Sequence, residues 1–160
     1  MPTDELTTIL NRQTFVGVIG AMETFFSDAF INLVLDNKFN FRMFVQTHPE
    51  FSKRKFELKE IFEKHQELSD IVKKVLLDTI YHNLGTVKQM YQDTLYIKFP
   101  DISKCMKHVK TRHDLVHRNG KTKDGDAVVV DRESIIKASD DIIEMVELVM
   151  KELENDNIPF

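Results

Sequence analysis

The sequence predicts an all-α bundle of about five to seven helices, and three observations predict it. Only five glycines and four prolines interrupt 160 residues. Apolar side chains recur at intervals of three and four rather than two, the period of a helix with one inward face. Capping residues and breakers punctuate the periodic runs, at Asp36-Asn37, His48-Pro49, Phe99-Pro100 and Asn119-Gly120. A chain of this length can bury one core without disulfides or metals, so a single helical domain over residues 1–160 is expected.

Asp4 is placed to cap a first helix that runs through Ile19, Met22, Phe26, Ala29, Phe30, Leu33 and Val34 and ends near Asp36-Asn37, with a break expected near Gly17 and Gly20. A shorter helix spans about 39–46, because the residue before Pro49 is pushed out of the helical region. Ser52-Lys53-Arg54-Lys55 reads as a loop or an exposed helix start. Residues 58–67 and 69–82 read as two helices or one interrupted helix, with Ser69 as the second cap. Residues 84–96 continue the bundle, Phe99-Pro100 stops it, and Asp101 or Ser103 caps the next helix. That helix carries RHDLVHRNG, residues 112–120, and ends at Asn119-Gly120, where both residues tolerate the left-handed conformation. Residues 121–126 form a polar loop and 127–130 a short extended piece. Asp131 caps the last helix, with Ile135, Ile142, Met145, Val146, Val149 and Leu153 on its buried side.

The net charge of -4 argues against indiscriminate nucleic-acid binding, but the average hides an asymmetry. From Lys104 to Lys123 there are seven basic residues against one acid, Asp114. From Asp131 to Asp156 nine acids face three bases, so a phosphate-bearing ligand would prefer the first stretch. The single cysteine, Cys105, can form no intrachain bridge, and a basic n-region followed by an apolar run is missing after Met1. A reducing cytoplasm is the expected compartment. Asp28, Asn32 and Asp36 break the longest apolar stretches, so no membrane span of about 20 residues is expected.

At roughly 100° per residue, Ile102, Cys105, Met106, Val109, His113 and Val116 form one apolar stripe that should face inward, with His113 near its centre. Arg112 and His117 flank that stripe on opposite edges, where both can border one groove and face one phosphate. Leu115 falls outside the stripe, exposed unless a partner subunit covers it. Asp114 and Arg118, four residues apart, suit a surface ion pair. Helix-end cations such as Arg112 and His117 also have a purely structural use against the helix dipole.

Arg112 and His117, with four residues between them and a polar residue after the arginine, resemble the RxxxxH motif of HEPN (higher eukaryotes and prokaryotes nucleotide-binding) domains. The segments RHDLVHRNGKTKDG, AMETFFSDAFINLV and YHNLGTVKQMY are similar to those of HEPN-type ribonucleases of bacterial defence and toxin-antitoxin systems (RiboL-PSP-HEPN-like), and the resemblance extends from about Thr14 to Leu153. It implies a HEPN-like bundle with the motif at the C-terminal end of the penultimate long helix. It further implies a metal-independent endoribonuclease without cofactor, whose two motifs meet across a homodimer interface. The partners expected with it are RNA and an antitoxin or regulatory protein.

The chemistry suits those residue types. RNA carries its own nucleophile, the 2′-OH, so the enzyme must supply proton transfer and positive charge. Histidine is the side chain that titrates near neutrality, which suits His117 to act as base or acid. Arginine keeps its charge and can donate two parallel hydrogen bonds to phosphate oxygens, which suits Arg112 to stabilise the transition state. His113 would orient the site or share the proton transfer, unless it is a hydrogen-bonded core histidine. Arg118, Asn119 and Lys121 would contact substrate. Glu23, His82 and Asp114 are supporting candidates, with core or capping roles as the alternative.

The HDLVH run also places two imidazoles on one helical face, as in HExxH zinc proteases, but Asp114 is one methylene short of the required glutamate and no third ligand follows at a suitable spacing. In one HEPN group controlled by a nucleotidyltransferase, a tyrosine lies two residues after the motif histidine; here Asn119 stands there. The alternative function is a non-catalytic HEPN module that binds RNA, a nucleotide or a partner protein.

Overall fold

The computed structural model describes residues 2–155 and contains seven α-helices, with no strand among the described residues. In chain order they are α1 (Pro2–Leu35), α2 (Lys38–Thr47), α3 (Pro49–Ser52), α4 (Ile61–Asp78), α5 (Leu84–Leu95), α6 (Ser103–His117) and α7 (Arg132–Asn155). A 3₁₀ turn, Leu58–Glu60, leads into α4. The chain divides into two compact units. One joins the residues up to Thr24 to Pro100–Lys151; the other contains Phe25–Phe99 and the residues from Glu152.

The first unit contains most of α1 together with α6 and α7. Phe15, Ile19 and Met22 of α1 are buried, as are Cys105 and Val109 of α6 and Ala138, Ile142, Met145 and Val149 of α7. Polar contacts tie these helices together. His108 lies edge-on to the Phe15 ring, and its Nε2 is 2.7 Å from Asp141 Oδ2. The Cys105 thiol donates to the Asp141 carbonyl at 3.4 Å, and Lys104 Nζ donates to Glu144 at 2.8 Å. Asp131 caps α7 as expected, its Oδ1 accepting from Ser134 N at 2.8 Å and Ser134 Oγ at 2.6 Å.

The second unit is aromatic. Tyr91 is fully buried against Phe26, Phe30 and Phe99, and its hydroxyl donates to the Phe26 carbonyl at 2.9 Å, so the ring brings no unsatisfied polar group into the core. Phe44 of α2 joins Phe30 to Phe51 of α3. Asn37 Oδ1 caps α2 by accepting from Phe39 N and Asn40 N, and His48 Nδ1 accepts from Glu50 N at the start of α3.

Several local expectations change. Gly17 and Gly20 do not interrupt α1: each costs about 1 kcal/mol relative to alanine, and burying Phe15, Ile19 and Met22 at about 1.5–3 kcal/mol each outweighs that. Asp4 lies inside the first turn instead of capping it. Ser69 sits within the continuous α4, because Leu68, Ile71, Val72 and Val75 carry the helical period through it. His82 lies beyond that helix. Residues 127–130 contribute only one antiparallel bridge, Ala127 with Lys121. By length and composition α1 is apolar enough to cross a bilayer, contrary to the reading of its sequence, since Arg12, Glu23 and Asp28 are spread thinly along an otherwise apolar helix. Its buried residues Phe15, Ile19, Met22, Phe26, Phe30 and Val34 nonetheless recur every three to four positions, as on one inward face.

Candidate functional site

The motif occupies the last turn of α6 and the turn beyond it. His113 and His117 are four residues apart, so the helix stacks their rings on one face, with centroids 4.8 Å apart, and both are exposed. Arg112 is half-buried, with Nη2 3.9 Å from Glu23 Oε1 of α1 and a buried Nε that meets no hydrogen-bond acceptor. Asp114 is buried, and its carboxylate accepts a short charged hydrogen bond from Arg118 Nη1. That pair is more than the expected surface bridge. The Asp114 carbonyl also accepts from Arg118 N at 3.2 Å and Gly120 N at 3.0 Å, closing the helix.

Asn119 (φ 53°) and Gly120 (φ 75°) take the left-handed conformation, as expected past a helix C-terminus. Gly120 has a second constraint: a Cβ there would lie 2.8 Å from Nη1 of Arg12, so the glycine leaves room for that guanidinium. The Gly120 carbonyl then accepts from Val128 N at 2.8 Å, and Thr122 N donates to Asp126 O at 2.8 Å, folding 121–127 into a tight polar turn. Asn119, just before this turn, and Lys121, within it, are exposed.

Of the sequence-predicted residues, the structure joins Glu23 to Arg112, Asp114 to Arg118 and His113 to His117. His82 belongs to the second unit, half-buried in the connection between α4 and α5. The inward stripe of α6 holds at Cys105 and Val109, which are buried, and is corrected at Met106, His113 and Val116. Met106 and Val116 are 40% and 47% exposed and His113 is exposed, whereas Leu115, expected outside, is half-buried. The helix is rotated because His108 is paired to Asp141 and Arg112 reaches Glu23, and these contacts turn the Leu115 side inward. His113 is therefore no core histidine, and exposure of Leu115 no longer argues for a second subunit.

Arg12 was not legible as a site residue. Its Nε is buried without an acceptor, and it packs against the last residue of RHDLVHRNG. One signal was present: Arg12 and Glu23 lie about three turns apart, hence on one face of α1. The Cys105 thiol is pushed up to about 11, by burial first and then by Asp141, so it stays protonated at neutral pH. Among the described residues, no group of three or more His, Cys, Asp or Glu is arranged to hold a metal ion. No protein-family model matches this chain, and comparison with curated proteins and with solved structures gives no match.

Proposed function

We propose that the chain is a metal-independent endoribonuclease of the HEPN type, a toxin or antiphage effector that acts as a homodimer. The observation that supports this reading is the adjacent, exposed pair His113 and His117 on the same helix end as Arg112, whose Nε lacks an acceptor. Proton-transfer groups open to solvent on the same helix end as an arginine suit phosphoryl chemistry on a large substrate better than they suit a core. In this reading the 2′-OH attacks the adjacent phosphorus and gives its proton to a histidine. The P–O5′ bond breaks, and the leaving oxygen takes a proton, giving 2′,3′-cyclic phosphate and 5′-OH ends. His117 transfers the proton, His113 shares or orients that transfer, and Arg112 faces the charge that develops on phosphorus.

Met106 and Val116, both exposed on α6, take over from Leu115 as the apolar surface that a second subunit would cover, bringing two motifs together. Lys121 and Asn119 then lie at the edge of that groove.

The test is cleavage of purified tRNA and messenger RNA, with and without chelator. His117→Ala should lose about two to four powers of ten in rate at unchanged melting temperature, and Arg112→Ala about two to three with a lowered melting temperature, since it also removes the cation beside the half-buried Glu23. Because His113 is exposed, His113→Ala should lose activity without losing stability. Full activity of both His117→Ala and Arg112→Ala rejects the proposal. An inert parent that binds RNA or a protein partner would replace it with the interaction module, and complete loss in chelator with rescue by zinc would return attention to HDLVH.

A further inference from the structure

The second unit contains a cavity of about 560 Å³ between the loop after α3 and the first half of α4. Val45, Phe51, Leu68 and Ile71 form its apolar floor. Lys53, Arg54 and Lys55 approach from the loop, and Lys64 and His65 from α4. No carboxylate lines it. A neighbouring cavity of about 600 Å³ differs on this point, since Glu50 and Asp78 share its lining with Arg54 and Lys74. Arg54 and Lys64 are paired to Glu50 and Glu67, both outside the first cavity, while Lys53 and Lys55 make no ion pair among the described residues. At the mouth Phe56 is 56% exposed, an apolar ring presented to water beside four cations.

The geometry points to a binding site for a small amphiphilic anion, a carboxylate or phosphate monoester head on an aliphatic or aromatic body. The volume lies within the roughly 300–1,000 Å³ of small-molecule sites, and such sites combine apolar walls with a few orienting polar groups. The single sign of charge fixes the head group, and the floor requires an apolar body. An extended polyanion fits less well, because Glu57, Glu60, Glu63 and Glu67 alternate with the bases along the same segment. Those acids stay out of the cavity lining, so they oppose a strand of nucleic acid without opposing a compact ligand. The site does not depend on the ribonuclease reading, and its test uses no RNA cleavage.

The experiment titrates the full chain with dodecanoate and dodecyl phosphate below their micellar concentrations, by calorimetry. Dodecyltrimethylammonium, inorganic phosphate, phosphatidic acid vesicles and a uridine oligonucleotide serve as comparisons. Both free amphiphilic anions should bind saturably. The cationic amphiphile and inorganic phosphate should bind at least about tenfold more weakly, since each lacks one half of the recognition. Lys53→Glu with Lys55→Glu should weaken the anions by about tenfold or more. Phe56→Ala, at an exposed position that leaves the fold intact, should weaken the aliphatic probes and leave inorganic phosphate unchanged. Equal binding of the cationic amphiphile, binding of phosphate alone with equal affinity, or unchanged affinity in both variants would overturn the proposal. So would binding of vesicles without the free amphiphiles, or displacement of the probe by the oligonucleotide at lower concentration.

Discussion

Helices α6 and α7 lie in the same unit, touch through His108 and Asp141, and keep their predicted inward faces to different extents. In α7 the buried residues Ala138, Ile142, Met145 and Val149 recur every three to four positions, and three of them belong to the stripe that periodicity predicts. In α6 the buried residues are Cys105, Val109 and Asp114, while Met106 and Val116 face water. Apolar burial orients α7. Polar contacts with its neighbours orient α6, His108 with Asp141 and Arg112 with Glu23, while Asp114 is paired locally with Arg118. In α6 the pattern holds at Cys105 and Val109 and fails at Met106, His113 and Val116, so the apolar pattern predicts less of the face on the helix that carries the candidate site.

The contrast can be broken most strongly by the same truncation in both helices. Met145→Ala should cost about 2–5 kcal/mol, because it opens a cavity in a packed stripe. Met106→Ala should stay within about 0.5 kcal/mol, because that side chain is already in water. Urea unfolding of the two variants checks this; equal losses would mean that a second subunit covers Met106.

Asp114→Ala probes the ionic side of the comparison. It leaves the half-buried Arg118 without its acceptor, and should cost about 1–3 kcal/mol by the same measurement. A loss within error would show that Arg118 finds another partner.

Gly120→Ala is expected to cost about 1–2 kcal/mol, from a left-handed φ and from the approach to Arg12. Repeating it in an Arg12→Ala background separates the two causes. The crowding part disappears there and the conformational part remains, so a double-mutant cycle without coupling would remove Arg12 from the motif turn.

The smallest effect is on pH. Hydrogen bonds from Ser134 hold the Asp131 carboxyl below its usual 3.8. The folded chain then binds fewer protons than the unfolded one between the two values, so the contribution of this cap is present above pH 3.8 and is lost as pH falls through the folded-state value. Helix α6 has no side-chain cap at its first position, Ile102. Asp131→Asn should accordingly flatten the acid limb of thermal melts, and an unchanged limb would show that the cap adds nothing measurable.

What the sequence determined by itself is local: the helical class, the boundaries at His48-Pro49 and Asn119-Gly120, the Asp131 cap, and the placement of Arg112, His113 and His117 on one helix end. These follow from backbone sterics, capping hydrogen bonds and a period of 3.6 residues, all of which act within a few positions along the chain. Only the tertiary structure decided that Gly17 and Gly20 stay helical, that Leu115 turns inward while His113 turns out, and that Arg12 reaches Gly120. Each of these depends on partners far away in sequence: Glu23 and Asp141 for the rotation of α6, and Gly120 for the seat of Arg12. A side chain's periodicity says which face of a helix it shares, but the strongest available contact sets where that face points.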